Sequence, residues 1–184
     1  MGRVKGGVMR REQPFVAGVT GLGAQAHVET AGGWRRAADL VVGDLLHVHG
    51  GGLRPVQAVQ HEMGAGACLL HVPGGALGNC ADLWLGAAQL VLIDTAHDPD
   101  LPDAMEVLVP AEALDGLRGM ALQAAPARLP LVTLHFDDEE VIWAQSGVTL
   151  HVPCLSSPET VWLSHTFPQL FGPEARHFLA RRLS

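Results

Sequence analysis

From Phe15 onward the chain runs in short apolar stretches, many of them alternating with polar residues and separated by Gly, Pro, Asn or Asp. That is the period-2 punctuation of β-strands rather than the longer period of helices. Phe15–Thr20 reads as a strand, Gly21–Gly23 as a glycine turn, and Ala26–Thr30 as a short strand with Val28 on one face and His27 and Glu29 on the other. Gly33 to Leu40 reads as a turn followed by a turn-like or one-turn helical piece, and Gly43-Asp44 as a tight turn. Leu45–His49 and Val56–Glu62 then form a hairpin about the reversal Gly50–Gly52. Ala67–Val72 is a continuous apolar run suited to a core strand, stopped by Pro73-Gly74-Gly75.

Asp82–Leu85 and Gln89–Asp94 predict two further strands, and Thr95–Met105, rich in aspartate and proline, predicts an exposed loop. Glu106–Pro110 reads as a strand and Ala111–Leu114 as a helical turn capped by Gly116. Leu131–Phe136 and Glu140–Ala144 read as a strand pair around the acidic turn Asp137-Asp138-Glu139, with Val148–Val152 following. After the linker Pro153–Pro158 the spacing predicts two short helices, about 158–166 and 173–183. Ser157 serves as an N-cap, and Ala175, Phe178, Leu179 and Arg182 stand at helical spacing. The organisation is a flexible basic leader over residues 1–14, a β domain over 15–155 and a helical extension over 156–184.

Composition narrows the class. With 184 residues, 48% hydrophobic and 17% charged, the chain supports one well-buried core, and with no tyrosine and few aromatics that core must be aliphatic. The net charge of −7 argues against a general nucleic-acid binder, which needs a basic face to displace counterions. The basic residues Arg3, Lys5, Arg10 and Arg11, and Arg176, Arg181 and Arg182, read as a solvated tail and the exposed side of a terminal helix. Cys68, Cys80 and Cys154 have neither disulfide nor zinc spacing, and read as buried inert thiols in a reducing compartment. No apolar run approaches the roughly 20 residues of a membrane helix. The N-terminus lacks the roughly 7-to-15-residue apolar core of a secretory signal. A cytoplasmic protein without membrane or nucleic-acid partners, and without a cofactor, is the expectation.

Two phrases carry a resemblance. Gly33-Trp34-Arg35-Arg36-Ala37-Ala38-Asp39-Leu40-Val41-Val42-Gly43-Asp44 is similar to the Gly-Trp-Arg to Gly-Asp run of the Hint (Hedgehog/intein) domains, particularly their bacterial versions. Ala76-Leu77-Gly78 followed by Asp82-Leu83 resembles a second phrase of that family. Val107, Pro110, Ala111 and Leu114 resemble a third, and Phe136-Asp137 to Val141 a fourth. The resemblance spans about Gly21 to Val152. It implies an all-β Hint fold, a flattened disc of curled antiparallel strands in which the two ends of the chain approach each other, with short C-terminal helices outside.

The resemblance also implies a chemistry, in which a first-residue Cys or Ser attacks the preceding carbonyl while a Thr-x-x-His pair protonates the departing amide. The nucleophile is expected at Gly21 or Gly23, and both are glycine. The hydroxyl and acid places are expected at Gly86 and Gln89, and Glu139 stands where many members carry histidine. Glutamine can donate a hydrogen bond but cannot transfer a proton near neutral pH. The resemblance therefore implies a domain degenerate for self-splicing or autoproteolysis, serving as a structural or interaction module with an unknown protein partner. A second reading is an active domain that cleaves its own chain near residues 20–23 through Thr20 as the nearest hydroxyl. A third is a metal- or ligand-binding β module using His47 and His49, which alternate on one strand at roughly 7 Å; His61, His71, His135 or His151 are the candidates to join them. The acidic group Asp137–Glu140 reads as solvated charge at a reversal. The glycines of Gly18–Gly23 match a dinucleotide fingerprint only superficially, since no crossover helix follows.

Overall fold

The computed structural model describes residues 18–96, 98–155, 164 and 166–183. The expected leader, the Ser157 cap and most of the first C-terminal helix lie outside these residues. The described chain forms fourteen strands: β1 (Leu22–Gly23), β2 (His27–Thr30), β3 (Gly33–Arg36), β4 (Leu45–His47), β5 (Leu53–Pro55), β6 (Ala58–Met63), β7 (Cys68–Val72), β8 (Leu83–Gly86), β9 (Leu90–Asp94), β10 (Glu106–Pro110), β11 (Ala121–Ala124), β12 (Pro130–His135), β13 (Glu140–Ala144) and β14 (Val148–Val152). Short 3₁₀ turns span Ala37–Asp39 and Ala111–Leu114, and one α-helix, α1 (Gly172–Leu183), closes the described chain.

The strands divide between two curled sheets. One has six strands in the order β11-β7-β8-β1-β12-β6; the other has eight, β10-β9-β14-β13-β2-β4-β5 with β3 paired on β2. Every ladder between these strands is antiparallel. The all-β expectation therefore holds. The two ends of the resembling span also meet, since Thr20–Leu22 and Leu150–Pro153 line one small cavity. The core is aliphatic, dominated by Leu, Val and Ala, with Phe136 and Phe178 as its large aromatics.

Several elements depart from expectation for identifiable reasons. The partner of β4 is Leu53–Pro55, immediately after the reversal at Gly51 and Gly52, whose φ values are +89° and +91°. Val56 ends that hairpin by exchanging main-chain hydrogen bonds with Gly43 and Asp44, and Ala58–Met63 crosses to the other sheet to pair with β12. Likewise β12 and β13 are not partners: β12 lies between β1 and β6, β13 lies between β14 and β2, and the acidic turn at 137–139 is a crossover. Both runs alternate correctly, but local pattern does not say which sheet a strand joins.

At the start, Gly18–Thr20 is not a strand, and the strand is instead Leu22–Gly23. Arg36 ends a short strand, β3, that the glycine turn at 32–33 returns onto β2. The strand β11, pairing β7, has no signal in the sequence, because Ala-Leu-Gln-Ala carries little β propensity. The thiols also differ from expectation: Cys68 and Cys80 are exposed, and Cys154 is half-buried with its thiol donating to the Asp137 carbonyl. Cys68 begins β7 opposite Ala124 on the outermost strand of its sheet, where little covers it.

The helix α1 forms over the predicted span and buries Ala175, Phe178, Leu179 and Leu183 in the main core. Across from it the 95–105 loop is exposed for the most part. Two of its aspartates are paired: Arg181 binds Asp98 at 2.8 Å and Asp100 at 2.5 Å. No helix among the described residues is long and apolar enough to cross a membrane.

Candidate functional site

Strand β1 is only two residues long, yet it is central, with Leu22 facing both Val132 and Leu85. The segment entering it is held by main-chain bonds from the β8–β9 turn. Ala88 N–H donates to the Val19 carbonyl at 3.0 Å and Gly86 N–H to the Gly21 carbonyl at 2.9 Å. This approach is closer than a side chain permits at Gly86, where a Cβ would lie 2.2 Å from the Val19 oxygen. Glycine at 86 is therefore a packing requirement of the junction. Gly21 adopts φ +99°, and a Cβ there would stand 2.7 Å from both Thr133 Oγ1 and the Val132 carbonyl oxygen. At Gly23 a Cβ would come within 3.2 Å of Trp84 Cβ, tight but between side-chain atoms.

Gln89 is buried on the same turn, and its side chain makes three hydrogen bonds. Oε1 accepts the Gly21 N–H at 3.0 Å, while Nε2 donates to the carbonyls of Leu90 at 3.0 Å and His151 at 2.8 Å. Because both of the latter partners can only accept, the amide orientation is fixed and its oxygen must face Gly21. His151 extends the network. Its ring is 3% exposed and Nε2 lies 3.2 Å from Oε1 of Glu139, itself 12% exposed. The same Glu139 oxygen accepts from the Ser164 hydroxyl.

A cavity of ≈20 Å³ adjoins these groups, lined by Thr20, Gly21, Gln89, Thr133 and His151 together with aliphatic residues. That volume is about enough for one water. Four residues singled out from the sequence, Gly21, Gly86, Gln89 and Glu139, thus belong to one connected structure, with Thr20 on the cavity wall. His151 and Thr133 complete it. From the sequence His151 is a candidate only as a metal partner, and Thr133 is no candidate. The one signal for Thr133 is a hydroxyl inside the apolar run Leu131–Phe136.

Chemically, the Gly21 amide is held by an acceptor. An oxygen receiving the N–H of a peptide supports the planar amide, whereas cleavage needs a proton delivered to that nitrogen. The Gln89 amide group has its two donors on the Leu90 and His151 carbonyls.

The histidine pair resolves differently. His49 Nε2 meets Glu106 Oε1 at 2.7 Å, and its ring lies 5.5 Å from that of Trp143 and 6.5 Å from that of Phe167. His71 pairs with Asp82 at 3.1 Å, and its ring lies 4.8 Å from that of Trp84, tilted by 43°. His135 is buried with neither ring nitrogen hydrogen-bonded, and burial holds its pKa below the ordinary value. Among the described residues no group of three or more His, Cys, Asp or Glu is arranged to hold a metal ion. His49, His71 and His151 each face a carboxylate of their own.

Comparison with known proteins places this arrangement in context. The solution structure of the bacterial intein-like domain from Clostridium thermocellum is similar with a TM-score of 0.53, at 15% identity, over 72% of this chain and 99% of that one. The crystal structure of the MchDnaB-1 intein is similar with a TM-score of 0.42, at 18% identity, over 71% of this chain and 98% of that one. No curated protein matches the sequence. The family model described as the Hint domain matches residues 20–149, a span running from the junction threonine into the last strand. The chain belongs to the Hint domain family.

Proposed function

We propose that this Hint domain does not process its own chain at residues 20–23 and serves as a structural or interaction module. The observation that carries this reading is Gln89: where the resemblance expects a proton donor, a buried amide accepts the Gly21 N–H with its oxygen and has its donors on two carbonyls. Gly21 and Gly23 supply no nucleophile, and Gly86 is glycine because the chain passes too near for a side chain. The arrangement ties the junction down. An interaction role is supported by the exposed apolar residues Trp34, Val41, Val42, Leu45 and Leu53, which fall on β3, β4, β5 and the turn between β3 and β4. Such a concentration of large apolar side chains in solvent is typical of binding surfaces.

The test is the intact mass of freshly purified protein, before and after incubation with a thiol and with hydroxylamine. The expected result is the full-length mass under all three conditions. A fragment beginning between Thr20 and Gly23 would overturn the reading and point to Thr20 as nucleophile.

A further inference from the structure

The hairpin of β2 and β3 has a definite hydrogen-bond parity. Ala37 N–H donates to the Ala26 carbonyl at 2.7 Å, in line with a register that sets Val28 opposite Arg35 and Thr30 opposite Gly33. These are therefore the pairs that exchange main-chain bonds. His27 opposite Arg36, and Glu29 opposite Trp34, occupy the alternate places, where N–H and C=O point away from the partner strand. On β2 an away-facing group is used, since the His27 carbonyl accepts from Gln145 N–H at 2.9 Å. On β3 none is. This strand pairs with β2 alone, and among the described residues nothing bonds the N–H or C=O of Trp34 or Arg36.

The side chains along this edge limit what can add to it. Trp34 is 42% exposed. Arg36, two residues on and so on the same face, is exposed and forms no ion pair among the described residues, whereas Arg35 meets Asp44 at 2.8 Å. Asp44 also accepts the Val41 N–H, so Arg35 fastens the turn carrying the exposed Val41 and Val42 to β3. A second copy of this strand is a poor match, because antiparallel edge-to-edge pairing sets Arg35 and Arg36 against the same two arginines. An acidic side chain opposite Arg36 answers its charge, and an apolar one opposite Trp34 covers the ring. We propose, on the reading of this domain as an interaction module, that β3 is the docking edge for an extended peptide segment of another protein. The segment adds antiparallel as a further strand, with a carboxylate side chain opposite Arg36 and, two residues later in the segment, an apolar side chain opposite Trp34.

The experiment titrates the full chain with the peptide acetyl-Thr-Thr-Glu-Thr-Ile-Thr-Thr-amide, followed by two-dimensional amide NMR. The expected result is saturable shifts centred on residues 33–38 and the adjoining 41–44 turn. The peptide with Lys in place of Glu should bind about tenfold more weakly. Arg36 has φ −63° and ψ 141°, angles that proline adopts, and its N–H takes no part in the β2–β3 ladder. Arg36→Pro therefore removes an open donor together with the guanidinium, while Arg36→Gln removes the charge alone. Both should keep the wild-type circular dichroism spectrum. Arg36→Gln should weaken binding about fivefold and Arg36→Pro about fivefold further. Equal weakening by the two variants would overturn the main-chain pairing. Absence of saturable shifts, or shifts centred on Leu45 and Leu53, would overturn the β3 edge. The second of these leaves the interaction reading standing, whereas a self-cleaved chain in the intact-mass test removes that reading whatever the peptide does. Self-association without peptide, with shifts over 33–38, would overturn the assignment to a foreign segment.

Discussion

The peptide nitrogen of Gly21 donates to Oε1 of Gln89 at 3.0 Å, a bond that joins residues 68 apart in sequence and ties the start of the domain to the β8–β9 turn. Through the carbonyl of His151 the same side chain reaches the last strand of the eight-stranded sheet. One amide thus bridges three parts of the chain that fold together only when both sheets are assembled. A residue at this place is well sited for chemistry on the Gly21 amide. In this chain the identity of that residue makes it a clamp.

Truncating the clamp removes all three bonds at once. Gln89→Ala leaves the Gly21 N–H buried and unpaired and takes a partner from two carbonyls, with a cavity where the side chain stood. The expected loss is about 2–4 kcal/mol. Urea denaturation checks it, and a loss below ~0.5 kcal/mol would mean that the bonds contribute little. Gln89→His places a proton donor beside the junction but supplies no nucleophile, so its intact mass should remain full length.

The glycine at 86 gives a sharper contrast. Gly86→Ala drives a Cβ to 2.2 Å from the Val19 oxygen and 2.7 Å from the Thr20 Cα, both main chain and flanking the junction. Such overpacking should cost about 3 kcal/mol or more, because neither atom can swing aside. At Gly50 nothing lies within 4 Å of the equivalent position and φ is not in the left-handed region, so Gly50→Ala should leave the urea midpoint nearly unchanged. Equal effects at the two sites would show that the close approach is absent in solution.

Much of this was legible before the structure. Glu106–Pro110, Glu140–Ala144 and Val148–Val152 begin and end where their patterns begin and end, since apolar alternation and glycine or acidic breaks mark both boundaries. Pairing was less legible. Leu131–Phe136 and Glu140–Ala144 look like hairpin arms, and what separates them is the topology of two sheets, fixed by long-range partners such as Thr133 opposite Gln60. At the site, Gln89, Gly86 and Gly21 were identifiable by position. The direction of the Gln89 hydrogen bond was not, because it depends on carbonyls of Leu90 and His151 that assembly brings around it.

His135 links the core to pH. It is 9% exposed, with both ring nitrogens lacking a hydrogen-bond partner, and burial holds its pKa below the ordinary 6.5. The unfolded chain therefore takes up a proton at this residue as pH falls through about 6.5, while the folded chain resists it. Stability contributed by the neutral ring is present above that pH and declines below it. Urea midpoints should fall between pH 7.5 and 5.5. In His135→Leu the decline should be shallower, and an unchanged slope would place the acid sensitivity at another group.

The C-terminal helix supplies the last prediction. Phe178 is 2% exposed and shares the main core with Leu114, Met120 and Leu179, while Arg118 caps the helix end at the Leu183 carbonyl and Arg181 bridges to Asp98. A helix bound by both core packing and polar anchors should unfold with the sheets rather than ahead of them. Phe178→Ala should cost about 3–5 kcal/mol. The effect should appear as one shifted transition, identical by tryptophan fluorescence and by far-ultraviolet circular dichroism. Two separated transitions, or a sheet signal unmoved by the substitution, would show instead that α1 is an appendage docked on an independently stable β domain. The Arg118–Leu183 contact would then depend on the docking equilibrium rather than on the fold itself.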